Sequence, residues 1–189
     1  MSKLDSLDPA LISFRPLEKT DLRRLCSWFN APHARRWFGQ GRSLDGVTEE
    51  YVPYIEGTTP IHPFLVSYDT EPIGMIAWER FGDSPDFMRT YGVDDPNAVN
   101  CDVIIGEVAF TRRGLGAPLI RRFLREIVFF DPRHSTCILD PEVENLVAIR
   151  VYEKAGFHYL RMLSDDGEGN AIHLMELRCE ELMGPRERR

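Results

Sequence analysis

The chain has 189 residues, 43% hydrophobic and 28% charged, enough to bury a sizeable core as one domain over residues 1–189 without metals or disulfides. A formal charge of −7 argues against the basic face that nucleic-acid binding usually needs, and suits a cationic partner better. No apolar run reaches the ~18 residues of a membrane span, Met1 to Pro9 has no signal-peptide core, and Cys26, Cys101, Cys137 and Cys179 show no C-x-x-C spacing. The expectation is a cytoplasmic protein with free, mostly buried thiols, no bound metal and no membrane partner.

Ile12 to Pro16 reads as a first strand, and Glu18 to Phe29 as an amphipathic helix with Leu22, Leu25, Cys26 and Phe29 at i, i+3, i+4, i+7 spacing. Asn30 and Pro32 stop it, His33 to Phe38 resumes as a short helix, and Leu44 to Tyr54 forms another, capped by Ser43 or Asp45. Pro63 to Tyr68 and Ile73 to Phe81 are strands joined in hairpin fashion. Phe81 to Asn100 has little periodicity and is long for a structureless connection, which marks it as a functional loop. Cys101 to Phe110 is the next strand, Leu115 to Phe129 a helix, Thr136 to Leu139 a strand, and Leu146 to Ala155 a helix closed by Gly156. A hairpin of Tyr159 to Leu163 and Ile172 to Cys179, turning at 164–170, completes the order. Residues 1–10 and 184–189 read as frayed tails.

Between the strand ending at Phe110 and the helix from Leu115 lies Thr111-Arg-Arg-Gly-Leu-Gly-Ala117. Glycines there let the backbone approach a ligand, and the first N–H groups of the helix point at an incoming anion. On its own such a turn is equally an ordinary strand-to-helix connection. The second signal is Asn145-x-x-Ala148-x-x-x-Tyr152-Glu-Lys-Ala-Gly-Phe157, about thirty residues downstream. With Arg113-Gly-Leu-Gly116 it resembles the GNAT superfamily of N-acetyltransferases, which move the acetyl group of acetyl-CoA to an amine.

That resemblance implies a mixed α/β fold of the α+β type, a central, mostly antiparallel twisted sheet, splayed at the acetyl-CoA site and flanked by helices. It implies acetyl-CoA as co-substrate, bound by Val108, Phe110, the backbone of Arg113, Gly114, Leu115, Gly116 and Ala117, and Asn145 and Tyr152. Asn145 alternatively only caps its helix, and Tyr152 packs beside Ile149 and Phe157 whether or not its phenol serves the departing thiolate. The family usually carries Gln or Arg three residues before the first glycine, where this chain has Thr111. A backbone N–H near Val108, on a splayed strand, would meet the developing oxyanion.

Trp28-Phe-Asn30-Ala-Pro-His33-Ala-Arg-Arg-Trp37-Phe-Gly39 is similar to the N-terminal substrate region of aminoglycoside 6′-N-acetyltransferases and their siderophore-acylating relatives. Asp102, twelve residues before Gly114, stands where those enzymes carry an aspartate implicated as base. The resemblance thus implies Asp102 and Tyr152 as catalytic residues, and Trp28, Asn30, His33, Trp37, Glu79 and Asp102 at the acceptor. Glu79 and Glu107 are reserve bases, although strand alternation puts Asp102 and Glu107 on opposite faces unless a bulge intervenes. His33 either lines the substrate or packs and bonds a backbone carbonyl. The partner is a small cationic amine met by a monomer or homodimer; the alternatives are another polyamine, a siderophore hydroxylysine precursor, or a silent acyl-CoA-binding domain.

Overall fold

The computed structural model describes residues 7–39, 41–164 and 169–184. Its strands are β1 (Ile12–Pro16), β2 (His62–Tyr68), β3 (Glu71–Arg80), β4 (Val99–Ile105), β5 (Thr136–Leu139), β6 (His158–Leu163) and β7 (Ile172–Arg178). Its α-helices are α1 (Leu22–Phe29), α2 (Leu44–Ile55), α3 (Pro85–Tyr91), α4 (Gly116–Phe123), α5 (Leu146–Ala155) and α6 (Cys179–Met183). The strands follow one another in the sheet as β1-β2-β3-β4-β5-β7-β6. The class is mixed α/β with a mostly antiparallel sheet, as the sequence implied. Two compact units share the chain, and each is built on its own core.

The first unit comprises the described residues up to Trp78 together with Asp102–Leu115. Here β1, β2 and β3 pair antiparallel, with Phe14 opposite Val66 and Phe64 opposite Ile76. Leu22, Leu25, Trp28 and Phe29 form the buried stripe of α1, and they pack on Val47 and Tyr51 of α2, Leu65 of β2, Met75 and Ala77 of β3, and Ile104 of β4. The entry to α1 is set by Asp21, only 4% exposed, whose carboxylate takes two hydrogen bonds from the Arg15 guanidinium at 2.7 and 2.8 Å and one from the Glu18 amide at 2.9 Å. That fixed start orients the helix whose far end carries Trp28 and leads to His33.

The second unit comprises Glu79–Cys101 and the described residues from Gly116 onward. The start of β4 runs parallel to β5 over two residue pairs, Val99–Cys137 and Asn100–Ile138, and β7 pairs antiparallel with both β5 and β6. Phe81, Tyr91, Val93, Ala98, Ile138, Ile172 and Leu174 make its core. Helix α3 lies inside the stretch read as a long loop: Ser84 caps it through its side chain, Pro85 occupies the first turn, and Gly92 ends it with φ +56°.

Other departures have local causes. Residues 32–37 form successive turns instead of a helix, since Pro32 has no N–H to donate and the chain is pulled round toward Arg42 by Asn30. Glu18 to Asp21 is a 3₁₀ entry to α1, and the helix from Gly116 passes at Phe123 into a π-helical turn, Leu124–Val128. Within the segment read as a frayed start, Pro9–Leu11 is a 3₁₀ turn capped by Asp8, and α6 follows β7 in the stretch between the expected strand end at Cys179 and the expected tail from residue 184. Residues 1–6, 165–168 and 185–189 of the expected tails and hairpin turn lie outside the described residues. Cys101, Cys137 and Cys179 are buried and Cys26 half-buried, all as free thiols. Among the described residues no helix is long and apolar enough to cross a membrane, and no group of three or more His, Cys, Asp or Glu could hold a metal.

Burial alone would raise the Asp21 carboxyl, but the Arg15 guanidinium and the Glu18 amide outweigh it and hold the group below the usual carboxylate range. A depressed carboxyl contributes stability that is present above its unfolded pKa of ~3.9 and is lost as pH falls through the folded value. Asp21→Ala is therefore expected to cost roughly 2 kcal/mol at neutral pH. In denaturant titrations the gap between the two proteins should narrow below about pH 4; an equal gap at pH 3 and pH 7 would contradict the pairing.

Candidate active site

The strand-to-helix turn is built from alternating backbone angles. Arg112 and Gly114 take φ of +57° and +83°, while Arg113 and Leu115 do not. Alternation of this kind turns successive N–H groups toward one side and makes an anion nest. Nothing lies within 4 Å of where a Cβ on Gly114 would be, so glycine is required there by backbone angle and leaves its outer side open to a ligand. Helix α4 starts at Gly116, and the buried Leu115 anchors the turn from beneath. The Thr111 hydroxyl bonds inward to the Val108 carbonyl at 2.8 Å, so the side chain that the family turns on phosphate is engaged elsewhere. The Arg113 side chain is exposed and, with Tyr68, Thr70 and Phe110, borders a shallow concavity beside the turn.

One expectation about this region is corrected. Val108 is not on a strand: β4 stops at Ile105, and Val108–Phe110 is a 3₁₀ turn with Val108 69% exposed. Its N–H stands at the first position of that turn, where no acceptor within the turn exists. Phe110 is 9% exposed with its ring 5.5 Å from that of Tyr68, so its side chain belongs to the packing of the first unit.

On β4, Asp102 is exposed while Ile104, two residues on and hence on the same face, is buried against α1 and α2. Asp102 therefore sits at the rim of that face. Its charge adds to burial in pushing the Tyr51 phenol of α2 well above the ordinary value. His33 is exposed, and its Nε2 lies 2.9 Å from the Ile105 carbonyl oxygen, which is the carbonyl-bonding reading of that histidine. Trp37 is half-buried with the Arg36 guanidinium 4.7 Å over its ring.

Trp28 and Asn30, both expected at the acceptor, are held by contacts within the fold. Trp28 is 3% exposed, and its indole N–H donates to Glu107 Oε1 at 2.9 Å. Asn30 donates from Nδ2 to the carbonyls of Cys26 and Arg42, both at 2.8 Å, and accepts from the Arg42 amide at 3.1 Å, closing the loop between α1 and α2. The spacing of Trp28 from Leu25 on the α1 stripe carried the signal for burial. The Gly106 and Glu107 amides both donate to the Ile73 carbonyl, at 2.8 and 3.1 Å, which is the bulge that removes the alternation between Asp102 and Glu107.

In the second unit Asn145 caps α5, its side-chain oxygen accepting from the Ala148 amide at 3.1 Å. Tyr152, two turns along that helix, is half-buried with its ring 6.0 Å from Phe157. Glu79 is half-buried as well. Burial first, and the neighbouring carboxylates of Asp140 and Asp83 second, raise its carboxyl above the ordinary glutamate value. Asp140 itself accepts from the Tyr91 hydroxyl at 2.6 Å and from Asn100 at 3.1 Å. The acids of the 81–100 segment are largely engaged nearby: Asp83 with Arg80, Asp86 with Arg89, and Asp95 with the Asn97 amide and the Ser135 hydroxyl.

Residues 18–164 match the family model described as an acetyltransferase (GNAT) domain. The chain is 28% identical over 171 residues to aminoglycoside N(6′)-acetyltransferase type 1 of Klebsiella pneumoniae, covering 88% of this chain and 83% of that protein. It is 23% identical over 171 residues to the lysine N-acyltransferase MbtK of Mycobacterium tuberculosis, covering 90% and 80%. The crystal structure of aminoglycoside acetyltransferase AAC(6′)-Ib with coenzyme A and kanamycin superposes with a TM-score of 0.80 at 28% identity, over 90% of this chain and 96% of that one.

A carboxyl raised on folding favours the folded state while protonated, so its contribution is present below the unfolded pKa and lost as pH rises through the folded value. Glu79→Gln should consequently raise the melting temperature at pH 8 and change it little at pH 4. A Gln protein less stable than wild type at pH 8 would show that the carboxylate is compensated.

Proposed function

The chain belongs to the GNAT acetyltransferase family and is an acetyl-CoA-dependent N-acetyltransferase, and on that premise we propose that its acceptor is the 6′-amine of an aminoglycoside. The observation that carries the reading is the exposed carboxylate of Asp102 on β4, a negative group on the same strand that leads into the phosphate turn. The similarity to enzymes named for that amine supports it.

Bound acetyl-CoA supplies an acetyl group already activated as a thioester. The backbone N–H groups of Arg113 to Ala117 hold its pyrophosphate. Asp102, or a water that it orients, accepts the proton of the acceptor ammonium and so frees the lone pair that attacks. The Val108 N–H donates to the thioester oxygen as negative charge develops there. Tyr152 donates its phenolic proton to the departing thiolate, and the Asn145 cap fixes the start of the helix that carries it. Transfer is direct. His33 and Trp37 are the acceptor-lining residues of the N-terminal region, and Glu79, with its raised carboxyl, is the reserve base. The working unit is residues 1–189, in the cytoplasm, as a monomer or homodimer.

Similarity to a lysine N-acyltransferase favours a second reading, acylation of a lysine-type amine or another polyamine. Release of free CoA thiol across a panel of amines separates the two. Saturation confined to aminoglycosides supports the first, saturation by lysine derivatives the second, and no amine-dependent thiol from any of them would leave only an acyl-CoA-binding domain.

Asp102→Asn keeps the shape of the side chain but removes its charge and basicity, and should lower kcat/KM for the best amine by ~10² to ~10⁴. Acetyl-CoA affinity, measured by calorimetry, should stay within about threefold; wild-type kcat/KM between pH 6 and 9 would exclude Asp102 and pass the role to Glu79. Tyr152→Phe keeps the ring against Phe157 and should lower kcat by about tenfold or more with acetyl-CoA binding nearly intact. Equal turnover by the two proteins would leave Tyr152 as a packing residue.

A further inference from the structure

We propose that Glu107 is a positioning residue for acetyl transfer: held by the Trp28 indole N–H, it fixes the bulge that ends β4 and so aims the Val108 N–H. The inference rests on the role given to Val108 above and adds the device that sets its direction. All the groups concerned lie within the first unit.

The contacts at this strand end are tight. A Cβ on Gly106 would sit 2.0 Å from Cγ of Trp28 and 2.3 Å from its Cδ1 and Cδ2, so the indole lies directly on the Gly106 backbone and no side chain fits between them. A tryptophan buried this far needs a partner for its N–H, and Glu107 supplies it. An ionised acceptor makes that bond stronger than a neutral one would. The Gly106 and Glu107 amides converge on the Ile73 carbonyl, and His33 holds the Ile105 carbonyl. Residues 105 to 107 are thus fixed by β3, by α1 and by the turn that follows α1.

What comes next depends on that fixing. The Glu107 carbonyl accepts the Phe110 amide at 3.0 Å, the first bond of the 3₁₀ turn, so the turn starts from the held residue. Val108 is largely exposed, so packing of its own side chain does little to set its amide direction. The direction of the Val108 N–H follows from the peptide plane between Glu107 and Val108, whose carbonyl is held by the Phe110 amide and whose Glu107 side is anchored through the bond to Trp28. Proton removal by Asp102 and pyrophosphate binding by the backbone of Arg113 to Ala117 use neither Glu107 nor Trp28. The clamp should therefore act on kcat and leave binding alone.

Three variants test this. Glu107→Gln keeps an oxygen acceptor for the indole, Glu107→Ala removes it, and Trp28→Phe removes the donor while leaving a ring over Gly106. With acetyl-CoA and the best amine, Glu107→Ala and Trp28→Phe are each expected to lower kcat by ~10- to ~100-fold, somewhat less than deletion of an oxyanion donor. Acetyl-CoA affinity and the acceptor KM should stay within about threefold, and Glu107→Gln should keep kcat within about threefold of wild type. Near-UV circular dichroism checks the fold, and Trp28→Phe carries the test if Glu107→Ala does not fold. Full kcat in Trp28→Phe would overturn the proposal, as would a Glu107→Gln protein impaired as badly as Glu107→Ala with a raised acceptor KM, which would make Glu107 a charge partner of the amine. If the wild-type protein releases no CoA with any amine, the function proposed above fails first; if Asp102→Asn is impaired while Trp28→Phe is not, only the clamp fails.

Discussion

A β-strand that stops leaves its next backbone N–H groups without ladder partners, and in this chain everything of chemical interest in the first unit hangs on how β4 stops. Two amides share the Ile73 carbonyl, an indole closes over Gly106, and the chain turns into a short 3₁₀ segment before the alternating angles at Arg112 and Gly114. The alternating angles at Arg112 and Gly114 then turn successive N–H groups toward one side. A strand continued to Phe110 would have buried those donors in the sheet and left nothing to meet an anion. The cost of the bulge is offset by burial of Trp28, the largest side chain on the α1 stripe.

Charge is distributed with the same economy. The net charge is negative, yet three acids of the 81–100 segment, Asp83, Asp86 and Asp95, are bound up with Arg80, Arg89, Asn97 and Ser135. Exposed ion pairs of this kind contribute little to stability, but they remove free carboxylates from the surface. Asp102 is exposed on β4, whereas Glu79 is half-buried with its carboxyl raised by burial and by Asp140 and Asp83. Their environments differ, so their pH dependences distinguish them: Glu79 titrates closer to neutrality than an ordinary glutamate.

Much of the fold was legible where periodicity and caps agree. Strands β1 and β5 and helix α5 fall at the residues read from the pattern, because each is bounded by a strong punctuator such as Pro16, Asp140 or Gly156. Helix α3 escaped because it has only seven residues, too few for a period to show, although Ser84-Pro85 and Gly92 are the caps such a helix needs. The π-helical turn after Phe123 has no sequence signature of that kind. In the site, the glycine turn and the Asn145 cap followed from local rules. Trp28 reads as substrate-lining through the similarity of the stretch from Trp28 to Gly39 to a substrate region, while its partner Glu107 is 79 residues away and only the folded chain joins them. His33 was left between two roles, and the carbonyl of Ile105 decides its hydrogen bond without deciding what its exposed edge meets.

The central claim is that this chain acetylates the 6′-amine of an aminoglycoside. Its most direct test is thiol release from acetyl-CoA with two aminoglycosides that differ only in carrying an amine or a hydroxyl at the 6′ position, followed by mass analysis of the products. Saturable CoA release and a single added acetyl group with the 6′-amine compound, and neither with its 6′-hydroxyl counterpart, is the predicted result. Equal acetylation of both compounds, or of neither while a lysine derivative is acylated, would contradict it.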